Sequence, residues 1–395
     1  MLRFLTAGES HGPSLTVIVE GLPAGLPITA EQIGDELARR RLGYGRGPRM
    51  RFERDEIRIT GGVRHGRTLG SPVSIEILNT EWPKWEKEMS PAPGEPSEKL
   101  TAPRPGHADL VGMQKYGFDD ARDVLERASA RETTARVAAG ALAKALLREL
   151  GVDIVSHVVR IGAAASPSEV RPGPHDAARI DESDVRCFDP ATEEEMVQEI
   201  KAAAKEGDSL GGVAEVIAYG VPAGLGSHVH WDRKMDGLLA GALMSIQAVK
   251  AVEIGDGALQ ASQRGSVAHD AIAVDDAATS SGGFIRRTDH AGGLEGGMTS
   301  GAPLIARVSM KPLATLNRPV LETVDVATGE STVSFKERTD VTAVPALGVI
   351  AEAMTALVLA NEALRKFGGD SVAEFVRNAN GYLTHLGETP SRARP

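Results

Sequence analysis

One cysteine, Cys187, stands in a chain of 395 residues. A lone thiol excludes an internal disulfide framework and any cysteine-based metal site, and it fits a reducing cytoplasm. Aromatic residues supply only 4% of the chain, so the core must be built from Val, Leu, Ile and Ala. The formal charge of −10 excludes a nucleic-acid protein that depends on overall positive potential. No uninterrupted apolar stretch approaches a membrane span, and Arg3 and Glu9 come too early for a signal peptide. A strand-turn-helix Gly-x-Gly-x-x-Gly fingerprint is also missing, which argues against a doubly wound dinucleotide fold.

Glycine, by contrast, is abundant at 44 residues, implying many tight turns and close backbone approaches. The turn Gly8-Glu9-Ser10-His11-Gly12 is the densest in chemistry. It sets an imidazole beside a hydroxyl and a carboxylate, with glycines leaving room for a ligand; a surface or core histidine is the alternative. Arg39, Arg40, Arg41, Arg46, Arg49, Arg51, Arg54 and Arg58 crowd one segment. Such density suits phosphates or carboxylates on a small anion, or else a solvated basic face.

Along the chain, residues 14–20 read as a strand. Residues 29–41 read as a helix with a capping box at Thr29 and Gln32 and a staple of Ile28 and Ile33. Residues 56–60 and 72–78 are strands around a Gly-rich loop, and the prolines of 89–106 forbid regular structure. Residues 119–150 are Ala-rich helix broken near 127–133, 162–184 a weakly patterned connection, and 193–205 a helix ending at Gly207. Residues 213–219 are a strand, 232–249 a helix, and 345–367 a nearly all-apolar helix with Pro345 in its first turn and Gly368 at its cap. Past Gly369 the tail, 386–395 in particular, is expected to fray.

The second half echoes the first. Gly220-Val221-Pro222-Ala223-Gly224-Leu225 repeats Gly21-Leu22-Pro23-Ala24-Gly25-Leu26. Residues 61–77 also lie without gaps on 292–308, matching at Gly66/Gly297, Thr68/Thr299, Gly70/Gly301 and Pro72/Pro303, so we infer an internal duplication. The expected fold is α+β, one domain over 1–395 with pseudo-repeat halves of about 1–150 and 208–367. In this β-α-β sandwich two antiparallel sheets enclose the apolar helices and leave their outer faces free.

Six stretches carry a resemblance: Gly8 to Gly12, Arg104-Pro105-Gly106-His107-Ala108-Asp109, residues 127–133, residues 247–256, the glycine loop 289–301 leading to Lys311-Pro312, and Arg338-Thr339-Asp340. Together, and in this order, they closely resemble the chorismate synthase family from residue 2 to about 367. The resemblance implies a reduced flavin mononucleotide (FMN) cofactor, the substrate 5-enolpyruvylshikimate 3-phosphate and a homotetramer; because nothing in the chain looks like an added flavin reductase domain, the flavin is expected to be reduced by an external donor. It implies a 1,4-elimination with no net redox change. His11 would protonate the departing phosphate, His107 would neutralise the reduced flavin near N1 and the C2 carbonyl, and Asp340 would relay the C6 proton from N5.

By the same resemblance, flavin contacts fall on Arg127, Ala128, Ser129, Gln247, Ala248, Gly296, Lys311, Pro312, Leu313, Ala314, Thr315 and Arg338. Substrate contacts fall on Ser10, Arg40, Arg46, Arg131 and Arg338, and Arg40 and Arg46 also match positions associated with NADP(H). No metal, membrane or nucleic acid is implied. His65, His157, His228, His230, His269 and His290 are left as structural or surface residues, and residues 89–106 are the candidate mobile cover.

Overall fold

The computed structural model describes residues 1–47, 53–335, 337 and 339–387; Arg49, Arg51, Arg338 and the tail from 388 lie outside them. Strands β1 (Arg3–Ala7), β2 (Ser14–Glu20), β3 (Ile57–Gly61) and β4 (Val73–Leu78) form an antiparallel sheet in the order β1-β2-β4-β3. Leu15, Val17 and Val19 pair with Ile77, Ile75 and Val73, and all of them are buried, so alternate positions give the sheet one apolar face. Helix α1 (Ala30–Arg41) lies between β2 and β3. Its capping box is formed as the spacing predicts, with Thr29 N–H donating to Gln32 Oε1 at 2.9 Å and Gln32 N–H to Thr29 Oγ1 at 3.2 Å.

Helices α2 (Asp109–Tyr116), α3 (Arg122–Ala128) and α4 (Thr133–Arg148) follow, and the break between α3 and α4 is a 3-10 turn, Ala130–Glu132, capped by Ser129. Then come β5 (Asp153–Ile161), α5 (Pro190–Glu206), β6 (Gly212–Tyr219), α6 (Met235–Met244), β7 (Val249–Ile254), β8 (Leu304–Met310), α7 (Val344–Phe367) and α8 (Val372–Gly387). The second sheet is antiparallel in the order β7-β8-β6-β5, with the short strand Ala164–Ala165 at its edge. Helix α4 packs on β2 and against α1 and α7, and α7 packs on β5 and β6. At Gly140 an added Cβ would lie 2.3 Å from Ala353 Cβ, so α4 and α7 cross closely because glycine is there.

The two echoing stretches make matching hydrogen bonds. Thr68 Oγ1 accepts from Leu26 N–H at 2.9 Å and donates to Pro23 O at 2.6 Å; Thr299 Oγ1 does the same with Leu225 N–H at 2.8 Å and Pro222 O at 2.6 Å. Each threonine pins a Pro-Ala-Gly-Leu turn to a small glycine hairpin.

Four expectations need correction. Helix 232–249 is only α6, preceded by a 3-10 turn at Trp231–Arg233: the chain reverses through Ala248, held at φ 64°, and Val249 begins a strand. The tail past Gly369 forms α8 as far as Gly387, and an apolar stripe on it buries Phe375 and Ala379 against the core. The second sheet's outer face is not free: the 162–184 connection, with a short helix Ala177–Glu182, lies over a buried cluster of Val155, Ile217 and Ile305. The first sheet does show large apolar side chains outward, with Leu5 70% and Ile18 40% exposed. Finally, α7 is apolar and long enough to cross a membrane by length and composition, but 89% of its most apolar window is buried in the protein.

Candidate active site

A cavity of about 450 Å³ opens where the loops of both halves meet the N-terminal end of α7. The turn carrying His11, the C-terminal end of α1 and the loop carrying His107 form part of its wall. The turn between α6 and β7, the segment after β8 and the residues before α7 complete it. His11 and His107, about a hundred residues apart in the chain, line the same space.

Each histidine is held by a carboxylate. His11 Nδ1 lies 2.9 Å from Glu126 Oε1, and its own backbone N–H donates to Glu126 Oε2 at 2.9 Å. Gly8 makes the turn possible: at φ 102° an added Cβ would stand 2.4 Å from Ser14 O. His107 Nδ1 makes a short hydrogen bond to Asp109, which is fully buried and also accepts from Arg104 Nε at 2.8 Å. Burial alone would raise the Asp109 carboxyl, but the bonds from His107 and Arg104 outweigh it and hold the group well below the usual range. Lys311 fixes the same loop by donating to Gly106 O, and Arg104 Nη1 donates to Thr315 Oγ1 at 2.9 Å.

The walls are cationic in a chain that is acidic overall. Arg40, Arg46, Arg104, Arg131 and Lys311 line the space against the acids Glu337 and Asp340. Arg131 is engaged by Asp55 and Glu53 behind it. Arg46 Nε sits 2.8 Å from Asp340 Oδ2, and Asp340 Oδ1 accepts from Gly47 N–H at 2.6 Å. Arg40 is different. Its Nε donates to Thr133 Oγ1 at 3.0 Å and its Nη2 to Ala130 O at 2.9 Å, neither of them an anion, and its buried Nη1 has no partner among the described residues. Burial, with Arg46 and Arg131 nearby, pushes the Arg40 guanidinium down to about 9. At neutral pH the guanidinium stays charged, so the shift marks a cation that an incoming anion would relieve.

Of the residues singled out in the sequence, Ser10, His11, Arg40, Arg46, His107, Ala128, Ser129, Arg131, Gln247, Ala248, Lys311, Leu313, Ala314, Thr315 and Asp340 line this cavity. Ser129 Oγ donates to Ser10 Oγ at 3.2 Å. Three singled-out residues do not line it. Arg127 is tied to Thr6 O and Gly8 O and opens on a second depression beside Phe4 and Arg136. Gly296 forms the turn between the two-residue strands Leu294–Glu295 and Met298–Thr299, and Pro312 is not part of the wall. Arg338 lies outside the described residues.

The remaining histidines stay out of the cavity: His157 is buried against Glu215, His230 pairs with Asp232, and His290 with Asp256. Sequence reading passed over Glu126, Arg104 and Asp109 as participants. Asp109 closes the Arg104 motif and was visible there; Glu126 had only its place beside the 127–133 motif.

A family model described as chorismate synthase matches residues 2–364. A chorismate synthase of Thermobifida fusca (strain YX) is 60% identical over 98% of this chain and 99% of its own length. One of Salinispora tropica is likewise 60% identical over 98% of this chain and 99% of its own. A crystal structure of chorismate synthase superposes with a TM-score of 0.79 at 40% identity, covering 98% of each chain.

Proposed function

The chain belongs to the chorismate synthase family, and from that premise we propose that its cavity carries out an anti-1,4-elimination of phosphate and the C6 proton from 5-enolpyruvylshikimate 3-phosphate. Membership makes it a lyase that forms chorismate in the shikimate pathway to aromatic amino acids. The finer reading rests on one observation: both histidines and the incompletely paired Arg40 face one space.

The cofactor of the proposal is reduced FMN. The residues present fit such a group: Ala128, Ala248 and Ala314 keep part of the wall low, and the buried Gln247 Oε1 has no donor among the described residues. Residues 128–129, 247–248, 311 and 313–315 would hold it. When bound, reduced flavin lends electron density that helps expel a leaving group not adjacent to the C–H bond broken. The protein's share is proton handling and charge. His11 supplies a proton to the departing phosphate oxygen. Arg40, Arg46 and Arg131 hold the charge that grows on that phosphate, and His107 sets a ring nitrogen beside the cofactor's polar edge. Asp340, oriented by Arg46 and Gly47 N–H, is the proposed acceptor for the proton leaving C6.

Because NADP(H) would use Arg40 and Arg46, the dinucleotide and the substrate should compete. The same reading takes the fold as a single-domain sandwich with duplicated halves, supported by the matching Thr68 and Thr299 bonds. It takes the assembly as a homotetramer, supported by the apolar side chains on the first sheet's outer face. It takes the location as cytoplasmic, which the single, buried Cys187 suits, and the flavin as reduced by a separate donor.

The test is anaerobic. Protein, substrate and dithionite-reduced FMN should yield chorismate absorbance and inorganic phosphate in equal amounts, with neither in oxidised FMN alone. Turnover in air with oxidised FMN and only a nicotinamide donor would contradict the external reductant.

A further inference from the structure

Glu126 makes more contacts to the His11 turn than a structural pin needs. Its main-chain O accepts from Ser10 N–H at 3.0 Å, its Oε2 accepts from His11 N–H at 2.9 Å, and both carboxylate oxygens lie within 3.0 Å of His11 Nδ1. The carboxylate side chain is 2% exposed, and Arg122 Nη1, one turn earlier on α3, donates to Oε1 at 2.8 Å. Burial would raise the Glu126 carboxyl, but the bonds and charge of His11, with Arg122 behind, bring it below its ordinary value. An ionised carboxylate only accepts, so the ring nitrogen facing it must carry hydrogen.

The ring is held on a second side as well. Trp85 stacks on His11 with centroids 4.0 Å apart and planes at 27°, and the Arg122 guanidinium lies 5.0 Å over the Trp85 ring. One ring face and Nδ1 are therefore occupied, and Nε2 has no protein partner among the described residues. The second histidine repeats the device: Asp109 takes His107 Nδ1, Arg104 braces Asp109, and Arg104 lies 4.9 Å over Phe335. Asp109 sits two residues from its histidine and comes with its loop. Glu126 is 115 residues from His11, so this carboxylate is brought there by the tertiary fold alone.

We propose that Glu126, braced by Arg122 and Trp85, is the positioning residue of His11: it keeps hydrogen on Nδ1 and leaves Nε2 as the nitrogen that serves the phosphate. The proposal rests on the reading of His11 as proton donor given above. Glu126 itself neither gives nor takes a proton; its charge stays in place while Nε2 loses one. Without it the neutral imidazole is free to put its hydrogen on Nε2, and the ring can turn about its own axis.

The test uses the full chain with isotope-labelled histidine. Long-range nitrogen-proton correlation spectra in alkaline buffer, with His11 assigned through His11→Gln, should show neutral His11 protonated at Nδ1. In Glu126→Gln that preference should be lost and kcat should fall by about 10²-fold or more, with KM and oxidised-FMN binding within about threefold. Glu126→Asp, which keeps the charge, should retain Nδ1–H and recover part of kcat; it carries the test if the glutamine variant does not fold. Unchanged His11 spectra in Glu126→Gln, or altered spectra with normal kcat, would overturn the proposal. A His11→Gln enzyme with normal turnover would overturn the proton-donor reading instead, while the Nδ1 preference would stand as measured.

Discussion

Arg39 and Arg40 are neighbours on the last turn of α1, and they live in opposite electrostatic worlds. Arg39 donates from Nε to Asp181 at 2.6 Å, from Nη1 to Glu352 at 2.7 Å and Glu36 at 3.0 Å, and from Nη2 to Glu352 at 3.0 Å. Around the same Glu352 stand Lys144, Arg186 and Ser156, so a fully buried carboxylate is surrounded by donors between α1, α4, α7 and β5. Arg40 points the other way, toward the cavity, with carbonyl and hydroxyl acceptors and one nitrogen left over. The cluster has burial and acceptors; the cavity has burial and too few. Buried charge without acceptors is costly, and folding tolerates it where a ligand will supply the acceptors. Residue type alone does not separate Arg39 from Arg40, whereas the tally of acceptors does.

The comparison can be broken most sharply at the histidines. His11→Ala and His107→Ala should each lower phosphate release by about 10²–10⁴-fold, the usual share of general acid-base catalysis, with flavin binding largely kept. Normal turnover in both would mean that the cavity is not where the chemistry happens.

Next in size is the paired side. Glu352→Ala leaves three buried cations, Arg39, Lys144 and Arg186, to share the two carboxylates of Glu36 and Asp181, and should lower the unfolding free energy by about 3–5 kcal/mol in urea titrations. The sign with pH follows from the same group. Burial opposes ionisation of Glu352, but Arg39, Lys144 and Arg186 prevail and its carboxyl lies well below the ordinary 4.5. Below that value the unfolded chain binds more protons than the folded one, so stability should fall as pH drops through about 4.5, and fall less in Glu352→Ala. A variant as stable as the parent would put the cluster among ornaments rather than supports.

Much of this was legible beforehand because it was local. The Thr29 and Gln32 capping box, the glycine turns and the apolar periodicity of β2 and β4 all act over a few residues, and they gave the elements their ends. The echoed stretches align Thr68 with Thr299, and the two threonines make matching hydrogen bonds. What escaped was decided at a distance or by one dihedral. The left-handed Ala248 cut a helix short, and Phe375 turned an expected loose tail into a docked helix. Glu126 found its histidine across the fold. Arg39 and Arg40 belong to one basic run by composition and spacing; the family resemblance alone singles out Arg40, and the physical difference between them lies in their surroundings.

The cavity chemistry proposed above requires Arg40 to be a binding cation and not a fold cation. Calorimetric titration of Arg40→Ala with 5-enolpyruvylshikimate 3-phosphate, paired with a urea titration of the same protein, tests this directly. Binding should weaken at least about tenfold, the equivalent of losing about 1.4 kcal/mol, while the unfolding free energy stays within about 1 kcal/mol of the parent or rises. Substrate bound as tightly as before, or a loss of stability on the scale of Glu352→Ala, would contradict it.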